Sequence, residues 1–473
     1  MDVNSKEFWA PLERLIRYKM ATHSIPGLAV AFARDGEVVY SRGFGYADLD
    51  AGRAVAPETI FGVASVTKSF TCLAVMQLAD AGKLSPEDPV VKHLPEFRLP
   101  DERATRAATI SHLMSHTAGL PPLPVLEWAI EPSHAGDPLA SEYTPVGEVA
   151  QAHKPINTVE DVLAYLAEGE YTLTGQPGEV MSYSNDSYGL LGLIIERVSG
   201  EPYAKYMRDH IFTPLGMTRT TFDIDEAKRL GDVTELYARD KHDVIRHSPK
   251  WSDFPALMAC GQLRSTVLDL LKYGNMYVSG GQANGRTLLS PTGVEEMLKP
   301  RVQTGRDRWY AYGMNVHPDY HGVRLVGHSG GLKGVSSYYG YCPEQRLVGA
   351  VTVNLGGVPA SHIWMGGMNL LLGRPVDEPW AVEPEYQATH AELERFVGVY
   401  PSGEGDITTI AWSGDKLTVT YSDGRPFVLR ASGPDTVVYQ HRDDETVIRL
   451  VSDENGVPYA IRDGSRFIRK AKQ

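Results

Sequence analysis

Cysteine is nearly missing from this chain of 473 residues: Cys72, Cys260 and Cys342 are the whole supply. Three widely separated cysteines exclude a disulfide scaffold and suit free thiols in a reducing compartment. Nowhere do about 18 apolar residues run together, which excludes a membrane-spanning helix. The opening stretch "MDVNSKEFWAPLERLIRYKM" has no apolar run of export-signal length, and Asp2, Lys6 and Glu7 stand where one would begin. The expectation is therefore a cytoplasmic protein. Blocks of basic residues are lacking too. With 46 lysines and arginines against 59 acidic residues the formal net charge is -13, so neither nucleic acid nor an anionic membrane is an expected partner. No repeat of about 20–50 residues is present. What remains is ordinary globular material, 42% hydrophobic and 22% charged, enough for two domains.

Phe8, Leu12, Leu15 and Ile16 follow helical spacing near the start. "GLAVAFARDGEVVYSRGFGYAD" reads as two strands turning at Asp35-Gly36. Helices follow: one after Ser65 that stops at Gly82, one in "NDSYGLLGLIIERVSG" ending at Gly200, and one in "STVLDLLKYGNMYVSG". Strands return from about Arg324, in "VRLVGHSGG", "SSYYGYCP" and "RLVGAVTVNL". Strands at both ends with helices between predict an α/β (α+β) domain, an antiparallel sheet flanked by helices with a helical subdomain. Residues 121–157, rich in Pro and poor in periodicity, read as a long loop acting as lid or binding loop. "GRPVDEPWAVEPEYQA" reads as a linker. Beyond it "ITTIAW", "KLTVTY", "PFVLR", "TVVYQ", "TVIRLV", "YAIR" and "RFIRK" alternate between turn residues, predicting a small antiparallel β-barrel. The expected division is a domain over 1–375, a linker over 376–393 and a barrel over 394–473.

"FGVASVTKSF" places Ser65 and Lys68 on one face at a helix start. The helix terminus favours negative charge, which helps an alkoxide. A neighbouring amine, in its neutral form, activates a serine by taking its proton. The pattern alone is weak, since Ser413 and Lys416 repeat it in "WSGDKL", where Gly-Asp reads as a hairpin turn. "YSN" supplies Tyr183, able to relay protons, and Asn185, able to hold a carbonyl; a core tyrosine with an Asn N-cap is the plainer account. "GHSGG" carries His328, Ser329, Gly330 and Gly331 on a strand, where glycines let a substrate approach and N–H groups meet an oxyanion; a turn with a surface histidine is the plainer account there.

Taken in order and spacing, these stretches resemble the serine β-lactamase and penicillin-binding-protein superfamily, in its class C-like branch of DD-carboxypeptidases, D-aminopeptidases and esterases. The resemblance runs from roughly Ile25 to Leu355 and includes "HLMSHTAGL", "PGEVMSYSNDSYGLLGLIIERVSG", "IFTPLGM" and "LRSTVLDLLKYG". The C-terminal strands resemble, in pattern, a lipocalin-like domain appended to some D-amino-acid peptidases of this branch. The resemblance implies that Ser65 is the acylated nucleophile and that Lys68 and Tyr183 share general acid and base work. It implies further that Asn185 orients the substrate amide, that Ser65 and Gly331 N–H groups form the oxyanion hole, and that His328, Ser329 and Gly330 meet the substrate. His328 stands where relatives usually carry lysine. That departure, with the missing export signal, points to an intracellular amidase, aminopeptidase or esterase on small molecules or short peptides, with D-residues among them. No cofactor is called for. His112 and His116 have metal-like spacing, but no acidic ligand or H-E-x-x-H pattern accompanies them. Trp251, Asp253 and Phe254 are packing or pocket lining.

Three functions remain in competition: a serine peptidase or amidase, a carboxylesterase using the same serine, and a catalytically silent binding or scaffold protein. The set Ser65, Lys68, Tyr183 and Asn185 favours the first two. The sequence leaves the oligomeric state open, a homo-oligomer included.

Overall fold

A computed structural model describes residues 2–140, 153–422, 424–441 and 444–471. The N-terminal helix runs Lys6–Thr22; Ser5 caps it by accepting from the Phe8 N–H, and Trp9, Leu12, Ile16 and Lys19 are buried. The hairpin follows as read. Strands Gly27–Arg34 and Glu37–Asp48 pair antiparallel, and Asp35 and Gly36 both take positive φ, 53° and 88°. Two successive left-handed residues are the two-residue turn that matches strand twist.

The first strand also pairs antiparallel with Leu347–Val353, Ala31 opposite Ala350. The beginning and end of the stretch 27–353 are thus neighbours in one antiparallel sheet of nine strands among the described residues. In spatial order these are Val302–Gln303, Trp309–Tyr310, Asn315–Tyr320, Val323–Leu332, Val335–Cys342, Leu347–Val353, Gly27–Arg34, Glu37–Asp48 and Arg53–Ala54. Leu28, Val30 and Phe32 face the N-terminal helix and the helix Ala360–Leu371. Ala29, Ala31 and Ala33 face the larger core built on Thr67–Asp80, Asp186–Ser199 and Val267–Val278. This period of two is what a strand between two helical layers demands. Among the described residues no helix is long and apolar enough to cross a membrane.

The segment read as a loop over 121–157 is more ordered than its composition suggests. Val125–Ile130 is a helix and Glu131–His134 continues it as a 3-10 turn. Six residues are too few for periodicity to register in sequence. Beyond them the buried Asp137 carboxylate meets the buried Lys333 ammonium at 2.9 Å. Asp137 also accepts from Ser248 Oγ at 2.8 Å and from the Leu139 and Lys250 N–H groups. Residues 141–152 of the same stretch lie outside the described residues.

After a Pro-bearing stretch, in which Trp380 stacks on Trp364 at 5.5 Å, every C-terminal strand read from sequence is present. Together with Gly398–Pro401 and Arg430–Gly433, which the sequence reading did not single out, they form two antiparallel sheets of four and five strands among the described residues around a core including Phe396, Tyr400, Ile410, Val437, Ile448 and Ile461. One pair of edges meets through the Ala471 N–H and the Val399 carbonyl, 2.8 Å. Ser413 and Lys416 pair across a hairpin turn with Gly414 at φ 63°, so the second S-x-x-K is a turn. The last hairpin, Pro458–Asp463 and Arg466–Arg469, docks beside the helix Asp186–Ser199: the Tyr183 N–H donates to the Ser465 carbonyl at 2.9 Å.

Candidate active site

Ser65 sits at an abrupt change of chain direction. Phe61–Gly62 pairs briefly with Arg264–Ser265, Ala64 then adopts φ 46°, and the chain enters a 3-10 turn, Ala64–Val66, that continues as Thr67–Asp80. A left-handed alanine costs roughly 1–2 kcal/mol and persists only where neighbours hold it. Here the Ala64 carbonyl accepts from Thr67 Oγ1 at 2.6 Å and the Val63 carbonyl from Ser337 Oγ at 2.7 Å. The Ala64 methyl is packed with Leu236 and Val335.

One turn on, the fully buried Lys68 has three partners: Ser65 Oγ at 3.1 Å, Asn185 Oδ1 at 2.9 Å and the Cys260 carbonyl at 2.8 Å. Two of these are pure acceptors, so two N–H bonds are fixed. The tetrahedral nitrogen then aims its remaining position at Ser65 Oγ, as an N–H in the ammonium and as a lone pair in the neutral amine. The Tyr183 ring lies beside the same amine, its centroid 4.7 Å from Lys68 Nζ, and Arg466 from the C-terminal sheets stands at the same 4.7 Å.

The strand Val323–Leu332 brings in the third element. Its pairing with Asn315–Tyr320 stops at Gly327 opposite Asn315, so from His328 onward one edge is unpaired. Ser329 and Gly331 are exposed there, while His328 and Gly330 are buried. A side chain on Gly330 would collide with the Val63 carbonyl, 2.1 Å from an ideal Cβ; glycine is what lets this strand lie against the Ser65 turn.

His328 spends both ring nitrogens on the protein. Nδ1 faces the Ser329 carbonyl at 2.5 Å and Nε2 faces Tyr310 Oη at 3.0 Å. Tyr310 Oη also meets His116 Nε2 at 3.1 Å, and His116 Nδ1 accepts from the Ser184 N–H at 3.1 Å. The two fixed ends set every proton: Nε2–H on His116 donates to Tyr310, the Tyr310 hydroxyl donates to His328 Nε2, and His328 Nδ1–H donates to the carbonyl. Burial, with the Lys68 charge, pushes the His328 pKa down to about 3 and that of His116 well below its usual value. The charge switch near neutral pH that a histidine here invites is therefore absent from the geometry: the ring is neutral and ties the "GHSGG" strand to the "YSN" turn.

Ser65, Tyr183, Tyr310, His328, Ser329 and Gly331 line one cavity of about 400 Å³, with Thr446, Arg449 and Arg466 of the C-terminal sheets across from them. A second, of about 540 Å³, lies beside it under the linker and shares Arg308, Asn315, Ser329, Glu445, Val447 and Arg449. Trp251, Asp253 and Phe254 line neither cavity. Sequence reading missed Tyr310 and Arg308, which sit in "RDRWYAYG" with no motif around them, and every contribution from beyond the linker. Behind Tyr183, Arg466 grips Glu404 with two hydrogen bonds, 2.7 and 2.8 Å. Near this pair burial and the Glu404 charge push Glu127 up to about 8 and Asp186 up to about 7.

A family model described as Beta-lactamase matches residues 12–364. Protein flp of Staphylococcus aureus (strain MW2) is 30% identical over 349 residues, 73% of this chain and 62% of that protein. The chain thus spans less than two thirds of that relative's length. Penicillin-binding protein 4 of Amycolatopsis lactamdurans is 27% identical over 346 residues, 72% of this chain and 83% of that one. Among solved structures, the octameric penicillin-binding protein homologue from Pyrococcus abyssi is 31% identical. It superposes with a TM-score of 0.70 over 99% of this chain and 100% of its own.

Proposed function

Because the chain belongs to the beta-lactamase family of serine hydrolases, we propose that it cleaves small peptides or amides, D-residue peptides among them, through an acyl-enzyme on Ser65. The observation that carries this reading is the Lys68 nitrogen, held by Asn185 and Cys260 so that its free position meets Ser65 Oγ at 3.1 Å.

In the neutral amine that position is a lone pair, and Lys68 takes the Ser65 proton as Oγ attacks the substrate carbonyl. The oxyanion that forms is received by the Ser65 and Gly331 N–H groups. Gly331 is well placed to receive it, since it lies on the unpaired strand edge and the space where its side chain would be is open. Collapse of the intermediate needs a proton on the leaving amine. Tyr183, flanked by Lys68 and Arg466, delivers it and draws the replacement from Lys68. Water then repeats the sequence on the acyl-enzyme. The Asn185 amide nitrogen orients the substrate carbonyl while its oxygen holds Lys68. The C-terminal hairpin over Tyr183 leaves a chamber of peptide-fragment size, which favours short substrates over folded protein. Assembly into a homo-oligomer, of the kind named for the Pyrococcus abyssi homologue, belongs to the same proposal.

The test is covalent labelling. A neutral phosphonate should leave one adduct on Ser65, located by mass spectrometry, and Ser65→Ala should lose turnover of p-nitroanilides by on the order of 10⁴-fold. An adduct on Ser184 or Ser413 with Ser65 untouched would overturn the assignment, and turnover of p-nitrophenyl esters without any amide turnover would make the protein a carboxylesterase.

A further inference from the structure

The Tyr183 hydroxyl makes no hydrogen bond with any described residue. A phenol that passes a proton must nonetheless be held to about 0.5 Å of its working position. Its place is therefore set by what packs on the ring and by how the backbone is held. One part of the mould is His116, whose ring lies 4.1 Å from that of Tyr183 and is itself locked by Tyr310 and the Ser184 N–H. The Ser182 N–H donates to the His116 carbonyl at 3.0 Å. The other part is the C-terminal turn between Asp463 and Phe467. Its Ser465 carbonyl takes the Tyr183 N–H, and its Phe467 N–H donates to Ser182 Oγ at 3.4 Å. Between these two bonds Arg466 lays its guanidinium against the Tyr183 ring, 4.7 Å from the centroid, a contact that the ring's π charge favours.

Arg466 is held in turn. Two of its nitrogens meet the two Glu404 oxygens at 2.7 and 2.8 Å, and such a bidentate pair fixes the plane of the guanidinium as well as its position. Glu404 follows the strand Gly398–Pro401, in a turn pressed on the segment after His116. A Cβ on Gly403 would stand 2.2 Å from the Pro122 carbonyl, so the missing side chain is what lets Glu404 reach Arg466. Arg469 ties the same hairpin to the Leu173 carbonyl at 2.8 Å. Gly403, Glu404, Ser465 and Arg466 all lie outside the residues 12–364 that match the family.

We propose that Arg466 is a positioning residue for Tyr183: anchored on Glu404, its guanidinium holds the phenol ring in line with Lys68 for proton delivery to the leaving group. This rests on the hydrolase reading, in which Tyr183 is the acid. In that step the Tyr183 proton goes to the leaving atom as its bond to the acyl carbon breaks, and the Lys68 ammonium returns a proton to the phenolate. The C-terminal sheets are then part of the working site and not an appended module. A misplaced Tyr183 would spare substrates whose leaving group departs without a proton and penalise those that need one.

The experiment takes one acyl group on p-nitrophenol, on ethanol and on p-nitroaniline, and reads kcat/KM on the full chain, which reports acylation. p-Nitrophenolate departs unaided, whereas ethanol and p-nitroaniline leave with a proton. Tyr183→Phe should therefore slow the two poor leaving groups far more than the good one. Arg466→Ala should show the same pattern, with a loss of about tenfold to a hundredfold on the poor leaving groups, as a displaced catalytic group does. Arg466→Lys should recover part of that loss, and Glu404→Gln, which keeps the shape of the anchor, should show the pattern more weakly. Added to Tyr183→Phe, Arg466→Ala should cost almost nothing further, because it acts through that ring. Melting temperatures report which variants are folded; should Arg466→Ala not fold, Arg466→Lys and Glu404→Gln carry the test. Equal loss on all three substrates, no loss, or a loss that adds in full to that of Tyr183→Phe overturns the positioning role and leaves the hydrolase reading standing. A wild type that turns over none of the three overturns both.

Discussion

Cutting the buried link between Asp137 and Lys333 should destabilise the protein asymmetrically. The two side chains are almost wholly excluded from solvent, 0% and 2% exposed, but they are not equally well served without each other. Asp137 keeps three donors when the amine is gone: Ser248 Oγ and the Leu139 and Lys250 N–H groups. Lys333 keeps only the Ser248 hydroxyl and carbonyl, at 2.9 and 3.3 Å. Lys333→Met fills the stem's space, removes the ammonium's bonds to Asp137 and to the Ser248 hydroxyl and carbonyl, and leaves the carboxylate on its three other donors, a loss of about 1.5–3 kcal/mol. Asp137→Ala strands a buried ammonium, about 3–5 kcal/mol. The double variant holds no buried charge and should cost less than Asp137→Ala alone. Urea unfolding at pH 7, followed by tryptophan fluorescence, measures all three. The pH dependence has a definite sign. Burial raises the Asp137 carboxyl, yet the bonds from Lys333, Leu139, Ser248 and Lys250 outweigh it and leave the pKa at about 2, below the ordinary 3.8. The stabilisation is complete above the unfolded value and is lost as pH falls towards 2, so the gap between wild type and Asp137→Ala should close across that window. Lys333→Met costing as much as Asp137→Ala would show that the accounting of remaining donors is wrong.

Lys68→Ala and Tyr183→Phe should each cripple acylation, and the double variant should be little worse than either, because groups moving one proton are non-additive; losses that multiply in single-turnover kinetics would separate their roles. His328 contributes no neutral-pH limb to kcat/KM, since its folded pKa lies at about 3; an alanine variant that abolished such a limb would contradict the hydrogen-bond chain. The same burial makes the stability slope positive: the unfolded ring binds a proton below about 6.5 and the folded one does not, so His328 costs about 1.4 kcal/mol per unit as pH falls from there. His328→Gln should flatten denaturation midpoints measured between pH 6.5 and 4.

Much of this was legible because the local code and the fold agree. Asp35-Gly36 names its own turn, Gly82 and Gly200 end their helices at positive φ, and the alternating C-terminal segments could only be strands. The three short motifs meet because each begins or edges an element packed against the same core. Illegible were the features set from a distance. Nothing in "FGVAS" announces that Ala64 is left-handed; Thr67, Ser337 and Val335 impose it. The role of His328 depends on Tyr310 and His116, which no spacing links to it. Arg449 and Arg466 enter the site only because the last sheets fold back over Tyr183. The helix Val125–Ile130 was hidden by prolines and by its shortness.

The pairing of Gly27–Arg34 with Leu347–Val353 also fixes when this fold can exist. On a ribosome the first strand emerges with one partner, its own hairpin mate, and the other edge stays open until about 320 more residues have been made. At roughly 5–20 residues per second that is an interval of about 16–64 s. During it an apolar strand of alanine, valine and phenylalanine has an unpaired edge, the template on which chains mispair with one another. The central sheet closes only by joining segments remote in sequence, the slow kind of contact to form. Synthesis at high concentration should therefore fail by aggregation of nascent chains well before the finished protein becomes insoluble, and slower growth or added chaperone should recover yield where stabilising the folded state does not.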